Sequence, residues 1–161
     1  MSDSTIHAMA ALERGAPLTP FAYGLGPLAP CDATVRVRAC GVCRSDLHCI
    51  DDDWKRSRYP LVPGHEAIGE VVELGTGVTH LKIGDRVGVG WQRSSCLACD
   101  DCLSGDENLC EHSQATILDG YGGFGDHVRI DARFAFRIPE GIETLDAMVR
   151  FYTSTCDKFR P

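Results

Sequence analysis

The chain has 161 residues, 43% of them apolar and 24% charged, enough for one folded domain and too apolar for a mainly disordered one. Sixteen basic against 23 acidic residues give a net charge of −7, which lacks the basic footprint of a general nucleic-acid binder. No run approaches the roughly 18 apolar residues of a membrane span, and Met1 to Gly15 lacks the basic start and apolar stretch of a secretory leader. The expectation is a cytoplasmic protein with neither nucleic acid nor membrane as partner.

In chain order, Gly15 to Pro30 is rich in Gly and Pro and reads as a loop or extended connector. Thr34 to Ala39 (TVRVRA) alternates apolar and polar residues, as a half-buried strand does. Cys43 to Ile50 fits one short helix. Ala67 to Leu74 (AIGEVVEL) predicts a second strand that stops at Gly75, and Asp85 to Val89 a third. Gln92 to Leu118 carries many Cys, Asp and Ser and few β-branched residues, so it predicts an irregular insertion that needs something to clip it together. His127 to Ile130 and Phe134 to Ile138 predict two more short strands, and Glu143 to Phe151 the start of a helix. Turns at this frequency point to a mainly β fold, a barrel or a sandwich.

Nine cysteines stand at Cys31, Cys40, Cys43, Cys49, Cys96, Cys99, Cys102, Cys110 and Cys156. An odd number in a chain without a leader favours metal binding over a disulfide framework. The sharpest motif is Cys96-x2-Cys99-x2-Cys102-x7-Cys110. Short spacings let these thiolates converge on one tetrahedral zinc, and four protein ligands leave no open position, so such a zinc is structural. It would stand in for the core that residues 92–118 cannot build. An iron–sulfur cluster and four free thiols are the alternatives.

Upstream, Ala39 to His48 (ACGVCRSDLH) and Pro63 to Glu66 (PGHE) hold Cys43 and His65, a soft thiolate and an imidazole suited to zinc. They lie on separate elements, and a lone Cys or His is more often a core residue than a ligand. Asp46 is placed to accept a hydrogen bond from a ligand imidazole, and Ser45 offers a hydroxyl that can pass a proton. Cys40, Cys43 and Cys49 also admit a thiol redox sensor, which requires exposed thiols of low pKa. A Gly-x-Gly-x-x-Gly occurs at Gly120, Gly122 and Gly125, but no strong strand precedes it and no helical pattern follows, so it is not read as a dinucleotide-binding turn.

Together, the segments GVCRSDLH to GHE and the four-cysteine lobe resemble the zinc-dependent medium-chain alcohol dehydrogenases, over their N-terminal catalytic domain from about Ile6 to Asp146. VGVGW (Val87 to Trp91), the lobe and GYGGFGDHVRID (Gly120 to Asp131) look most like the cinnamyl-alcohol dehydrogenase and aldehyde reductase branch. The resemblance implies a GroES-like, partly open β-barrel over residues 1–146, with a zinc-clipped lobe at about 92–118 and an atypical tail over 147–161. It implies reversible hydride transfer between a primary alcohol or aldehyde and NAD(P), with NADP favoured. Cys43 and His65 are then catalytic zinc ligands, with Glu66 beside the metal. Asp46 holds the His65 imidazole. Ser45 touches the substrate oxygen, and His48 carries the proton on toward the nicotinamide ribose. Arg44 matches a position near the cofactor pyrophosphate, and Trp54 and Trp91 line the substrate cleft, with ordinary core packing the alternative for each. Alcohol dehydrogenases hold their catalytic zinc with two cysteines and one histidine, a ligand set that comes with the resemblance and not with the spacing. The family is also homo-oligomeric.

Family members continue into a Rossmann domain with its Gly-rich phosphate turn, whereas this sequence ends at Pro161. The place of the family's third ligand falls near Phe151 in AMVRFYTSTCDKFRP, and the nearest thiol downstream is Cys156. The likeness fades after Ala147, as it would after a frameshift. The 161-residue chain is therefore expected to be inactive alone, because nothing in it positions a nicotinamide. The competing reading is a non-catalytic zinc-binding interaction or regulatory module. A DNA-binding finger fits least, since the lobe is acidic at Asp100, Asp101, Asp106 and Glu107.

Overall fold

The structure is a computed structural model that describes residues 5–144 and 146–147. Strands dominate it: β1 (Thr5–Ala10), β2 (Thr19–Gly24), β3 (Asp32–Cys40), β4 (Ala67–Leu74), β5 (Arg86–Val89), β6 (Gln92–Ser94), β7 (Gln114–Ala115), β8 (His127–Asp131) and β9 (Ala135–Arg137). Two short helices are α1 (Arg44–Ile50) and α2 (Asp100–Ser104).

Five strands make one antiparallel sheet in the order β8-β3-β4-β5-β9. One face of it carries Val35, Val71, Val87, Val89, Val128 and Ile130, all fully buried, with Ala33, Ala67, Leu81 and Ala132 between them. The alternation of TVRVRA drives this arrangement: Val35 turns inward, while Arg36 and Arg38 turn outward to share the Glu70 carboxylate at 2.9 and 3.0 Å. Two register shifts, at Thr34/Val35 and Val37/Ala39, bend β3 and curl the sheet into a half-barrel, in line with the expected mainly β, partly open barrel. Strand β9, paired with β5, forms the sheet's far edge.

Strand β4 has the expected bounds, and β3, β5 and β8 differ from expectation by a residue or two at their ends. The segment Phe134 to Ile138 splits into a 3-10 turn over Ala132–Phe134 and β9. The connector Gly15 to Pro30 needs a larger correction, since it contains β2, paired along its length with β1. Pro20 faces Met9 in that two-stranded sheet, where one side of β2 makes no ladder and a missing N–H is tolerated. The rest of the connector is stapled down by Arg129, whose Nη1 donates to the carbonyls of Leu25, Gly26 and Pro27 at 3.0, 2.9 and 3.2 Å. The segment Gln92 to Leu118 is likewise not wholly irregular: β6 and β7 pair at its base, α2 lies within it, and a 3-10 turn spans Glu107–Leu109. Of the helix expected from Glu143, one turn is described, with the Ala147 N–H donating to the Glu143 carbonyl at 2.9 Å. Phe151, Cys156 and most of the 147–161 tail lie outside the described residues.

Candidate metal centres

In the lobe above the β6–β7 pair, the sulfurs of Cys96, Cys99, Cys102 and Cys110 all lie within 4.8 Å of one another. The Cys96–Cys102 and Cys96–Cys110 separations are 3.9 and 3.5 Å. Four thiolates at the corners of a tetrahedron with zinc–sulfur bonds of about 2.3 Å stand about 3.8 Å apart, so the donor set fits one zinc ion. Several irons between the sulfurs would need more room. Leu97 adopts a left-handed φ of 52°, which folds the first Cys-x-x-Cys so that the Cys99 N–H reaches the Cys96 sulfur at 3.3 Å. The Ala98 and Cys99 N–H groups bring the Cys96 thiol down to about 6, so it is a thiolate at neutral pH. The Ser95 hydroxyl, 3.3 Å from the Cys102 sulfur, lowers that thiol too. The His112 N–H donates to Cys110 Sγ at 3.4 Å.

The second cluster forms where α1 meets the loop before β4. Cys43 has an extended backbone (φ −115°, ψ 158°) and caps α1, and its N–H donates to Asp46 Oδ2 at 2.8 Å. The other oxygen of Asp46, a residue only 1% exposed, accepts the Gly64 N–H at 2.8 Å and sits 3.3 Å from His65 Nδ1. With Nδ1–H donating to this carboxylate, Nε2 keeps its lone pair for a metal. The Cys43 sulfur, a His65 ring nitrogen and a Glu66 carboxylate oxygen all lie within 4.8 Å of one another. Burial pushes the Glu66 carboxyl up from its usual range, against the pull of the His65 imidazole. A thiolate, an imidazole and a carboxylate suit zinc, and three protein donors leave a position open.

The metal loop is clamped by the segment that carries the Gly-x-Gly-x-x-Gly pattern. Gly122, Gly123 and Phe124 donate backbone hydrogen bonds to Val62, Gly64 and Pro63 at 2.9, 2.6 and 2.9 Å. A Cβ on Gly122 would sit 2.4 Å from the Pro63 carbonyl oxygen. Gly64 has φ +99°, and a Cβ there would meet the Phe124 ring at 2.6 Å and the Cys40 sulfur at 2.9 Å. These glycines serve close backbone packing, and strand β8 rather than a helix follows them.

Ser45, in the first turn of α1, has its hydroxyl 3.8 Å from the Cys43 sulfur. One turn on, His48 Nδ1 stands 2.7 Å from Asp53 Oδ2. The His48 ring packs against Trp54 (centroids 5.5 Å apart), Trp54 meets Trp91 edge-on at 5.7 Å, and Trp91 meets His65 edge-on at 5.2 Å. The two tryptophans thus bridge His48 and the Cys43–His65–Glu66 cluster. Arg44 is exposed, with no side-chain hydrogen bond or ion pair among the described residues. Sequence reasoning missed Asp53, because Asp51, Asp52 and Asp53 are alike in the text and only the fold selects one for His48. It also missed Ser95 and the Phe124 clamp, which no spacing signals.

Residues 29–140, which include both clusters, match the alcohol dehydrogenase GroES-like domain. The chain belongs to that family. Among relatives of this GroES-like domain, the aldehyde reductase AdhA of Synechocystis is 46% identical over 142 residues, which is 88% of this chain and 42% of that protein. A probable cinnamyl alcohol dehydrogenase 6 of Arabidopsis thaliana is 41% identical over 145 residues, 86% of this chain and 40% of that protein. Among solved structures, a cinnamyl alcohol dehydrogenase from Sorghum bicolor superposes with a TM-score of 0.85 at 34% identity, over 96% of this chain and 48% of that one. A Helicobacter pylori enzyme solved with NADP(H) superposes at 0.86 and 28% identity, again over 96% and 48%. The GroES-like chain thus spans about two fifths of these curated relatives, 42% and 40%. Among its described residues, no helix is long and apolar enough to cross a membrane.

Proposed function

We propose that the chain is the catalytic domain of a zinc-dependent, NAD(P)-linked alcohol dehydrogenase or aldehyde reductase of cytoplasmic location, with NADP the favoured cofactor. The observation that carries this reading is the convergence of Cys43, His65 and Glu66 on one point, with the buried Asp46 fixing the His65 ring. Catalytic zinc held there supplies a Lewis acid toward an alcohol or aldehyde oxygen, while a nicotinamide supplies or takes the hydride. The four lobe cysteines hold a structural zinc.

The chain's own residues then handle the proton and the substrate. The Ser45 hydroxyl takes the proton from the alcohol and donates its own to His48, one helical turn away on the same face of α1. His48 accepts it at Nε2 while Nδ1–H donates to Asp53 Oδ2 at 2.7 Å, which fixes the ring's orientation. In the reducing direction the same path runs backward. Trp54 and Trp91 flank the substrate and exclude water from the metal side. Arg44 and His48 face the cofactor. The catalytic unit is residues 1–146 with its structural lobe at 92–118, the 147–161 tail lies outside that unit, and the whole enzyme is a homo-oligomer.

Residues 1–146 joined to the nucleotide-binding domain of the Synechocystis aldehyde reductase test this reading. The fusion is expected to reduce aldehydes with NADPH, and His65→Ala and Ser45→Ala to lose most of that rate, about 100-fold or more for the proton relay. A folded fusion that binds NADPH and two zinc ions yet is inert would contradict it. The 161-residue chain alone is expected to show no turnover.

A further inference from the structure

Most arginines of the described residues are engaged. Arg36, Arg38, Arg129, Arg133 and Arg137 pair with carboxylates. Arg14, Arg86 and Arg93 donate to backbone carbonyls. Besides Arg44, Arg56 and Arg58 are the exposed arginines with no side-chain hydrogen bond or ion pair among the described residues, although the chain has a net charge of −7. They do not hang on a loose loop. The Ser57 N–H between them donates to Asp52 Oδ1 at 2.8 Å, the Ser57 hydroxyl donates to the Cys49 carbonyl at 2.6 Å, and the Tyr59 hydroxyl donates to the Ile50 carbonyl at 2.7 Å. The loop between α1 and β4 therefore presents both guanidinium groups from a fixed backbone.

Their position adds the chemistry. Lys55, Arg56 and Arg58 line an open hollow of about 340 Å³, with Leu118 and Asp119 also on its wall. Asp119 forms no ion pair with either arginine; its Oδ2 accepts the Ala115 N–H at 2.8 Å, and its charge is one against the three cations of the wall. Arg56 lines a second hollow shared with Trp91, and Trp91 in turn lies edge-on to His65. Trp91 is thus a shared neighbour of His65 and Arg56, and a substrate path along it would join the metal cluster to Arg56, with Arg58 across the first hollow. The geometry points to Arg56 and Arg58 as specificity residues that hold an anionic group, carboxylate or phosphate, at the end of the substrate remote from its reacting oxygen. The planar fork of a guanidinium matches either group with paired hydrogen bonds. This inference rests on the dehydrogenase reading and narrows its substrates to aldehydes and alcohols that carry an acid group.

Both tryptophans of the chain, Trp54 and Trp91, stand beside the proposed path, so their fluorescence reports occupancy. The zinc-loaded full chain is titrated with 4-carboxybenzaldehyde, 4-formylphenyl phosphate and the neutral 4-methylbenzaldehyde. At least one anionic aldehyde is expected to bind about fivefold or more tightly than the neutral one at low ionic strength. That preference should shrink with added salt and fall toward unity in the Arg56→Gln/Arg58→Gln variant. The larger of the two anionic preferences identifies the group. Lys82→Gln, on the turn before β5, is expected to keep the preference. Equal binding of all three aldehydes, or a preference that survives the double substitution, overturns this inference and leaves the dehydrogenase reading intact. Quenching by none of the three, or quenching that chelation does not change, overturns both.

Discussion

Asp46 is buried, with its two oxygens divided among the Cys43 N–H, the Gly64 N–H and the His65 ring. Replacing one oxygen by an amide nitrogen sets a donor against a donor in a dry site. Asp46→Asn is therefore expected to cost about 2 kcal/mol in urea unfolding and to weaken the adjacent zinc about 10- to 100-fold in a chelator competition. Unchanged affinity would show that His65 is not held by this carboxylate. Thiols divide in the same way by what surrounds them. The Ala98 and Cys99 N–H groups lower Cys96 to about 6, whereas burial pushes Cys40 and Cys49 up to about 12. After chelation at pH 7, iodoacetamide is expected to label the freed lobe cysteines and to spare Cys40 and Cys49, which the sheet and α1 keep covered. Rapid labelling of Cys40 or Cys49 would instead support the redox-sensor reading.

Each element depends on a few cross-links of known sign. Glu70 on β4 accepts from Arg36 and Arg38 on β3, and these two hydrogen bonds hold its carboxyl below its ordinary 4.5. A carboxyl lowered in the folded state adds stability that is complete above the unfolded pKa and lost as pH falls through the folded one. Thermal melts are thus expected to lose midpoint temperature below pH 4.5, and Glu70→Gln to start lower at neutral pH and lose less on acidification. Parallel curves for the two proteins would remove Glu70 from the account. Strands β3 and β4 were legible because TVRVRA and AIGEVVEL carry their burial pattern in their text. The β1–β2 pair was not: Ala8 and Ala10 are too small to mark a core face, and Pro20 reads as a breaker unless the pairing partner is known. In the lobe, the cysteine spacing was plain, but the β6–β7 closure and the left-handed Leu97 were not, because metal ligation rather than local propensity shapes them.

For the molecule as a whole, the half-barrel brings α1, the Pro63 to Glu66 loop and the Gly122 to Phe124 clamp to one place, while the lobe folds separately on the β6–β7 base. Cys43 and His65, 22 positions apart in the text, had no local reason to meet. The β3–β4 pairing, which sets the two loops side by side, and the glycine clamp supply that reason, and a lone sequence shows neither as chemistry. The Cys43–His65–Glu66 cluster and the lobe cysteines are separate donor sets, so each is expected to lose its metal without the other. Native mass spectrometry of the purified chain checks that independence. The account predicts two zinc ions per chain, one after His65→Ala, and one after Cys96→Ser. A single zinc in the unmodified chain that His65→Ala leaves in place would contradict it, and would leave a domain stapled by its lobe with no catalytic metal.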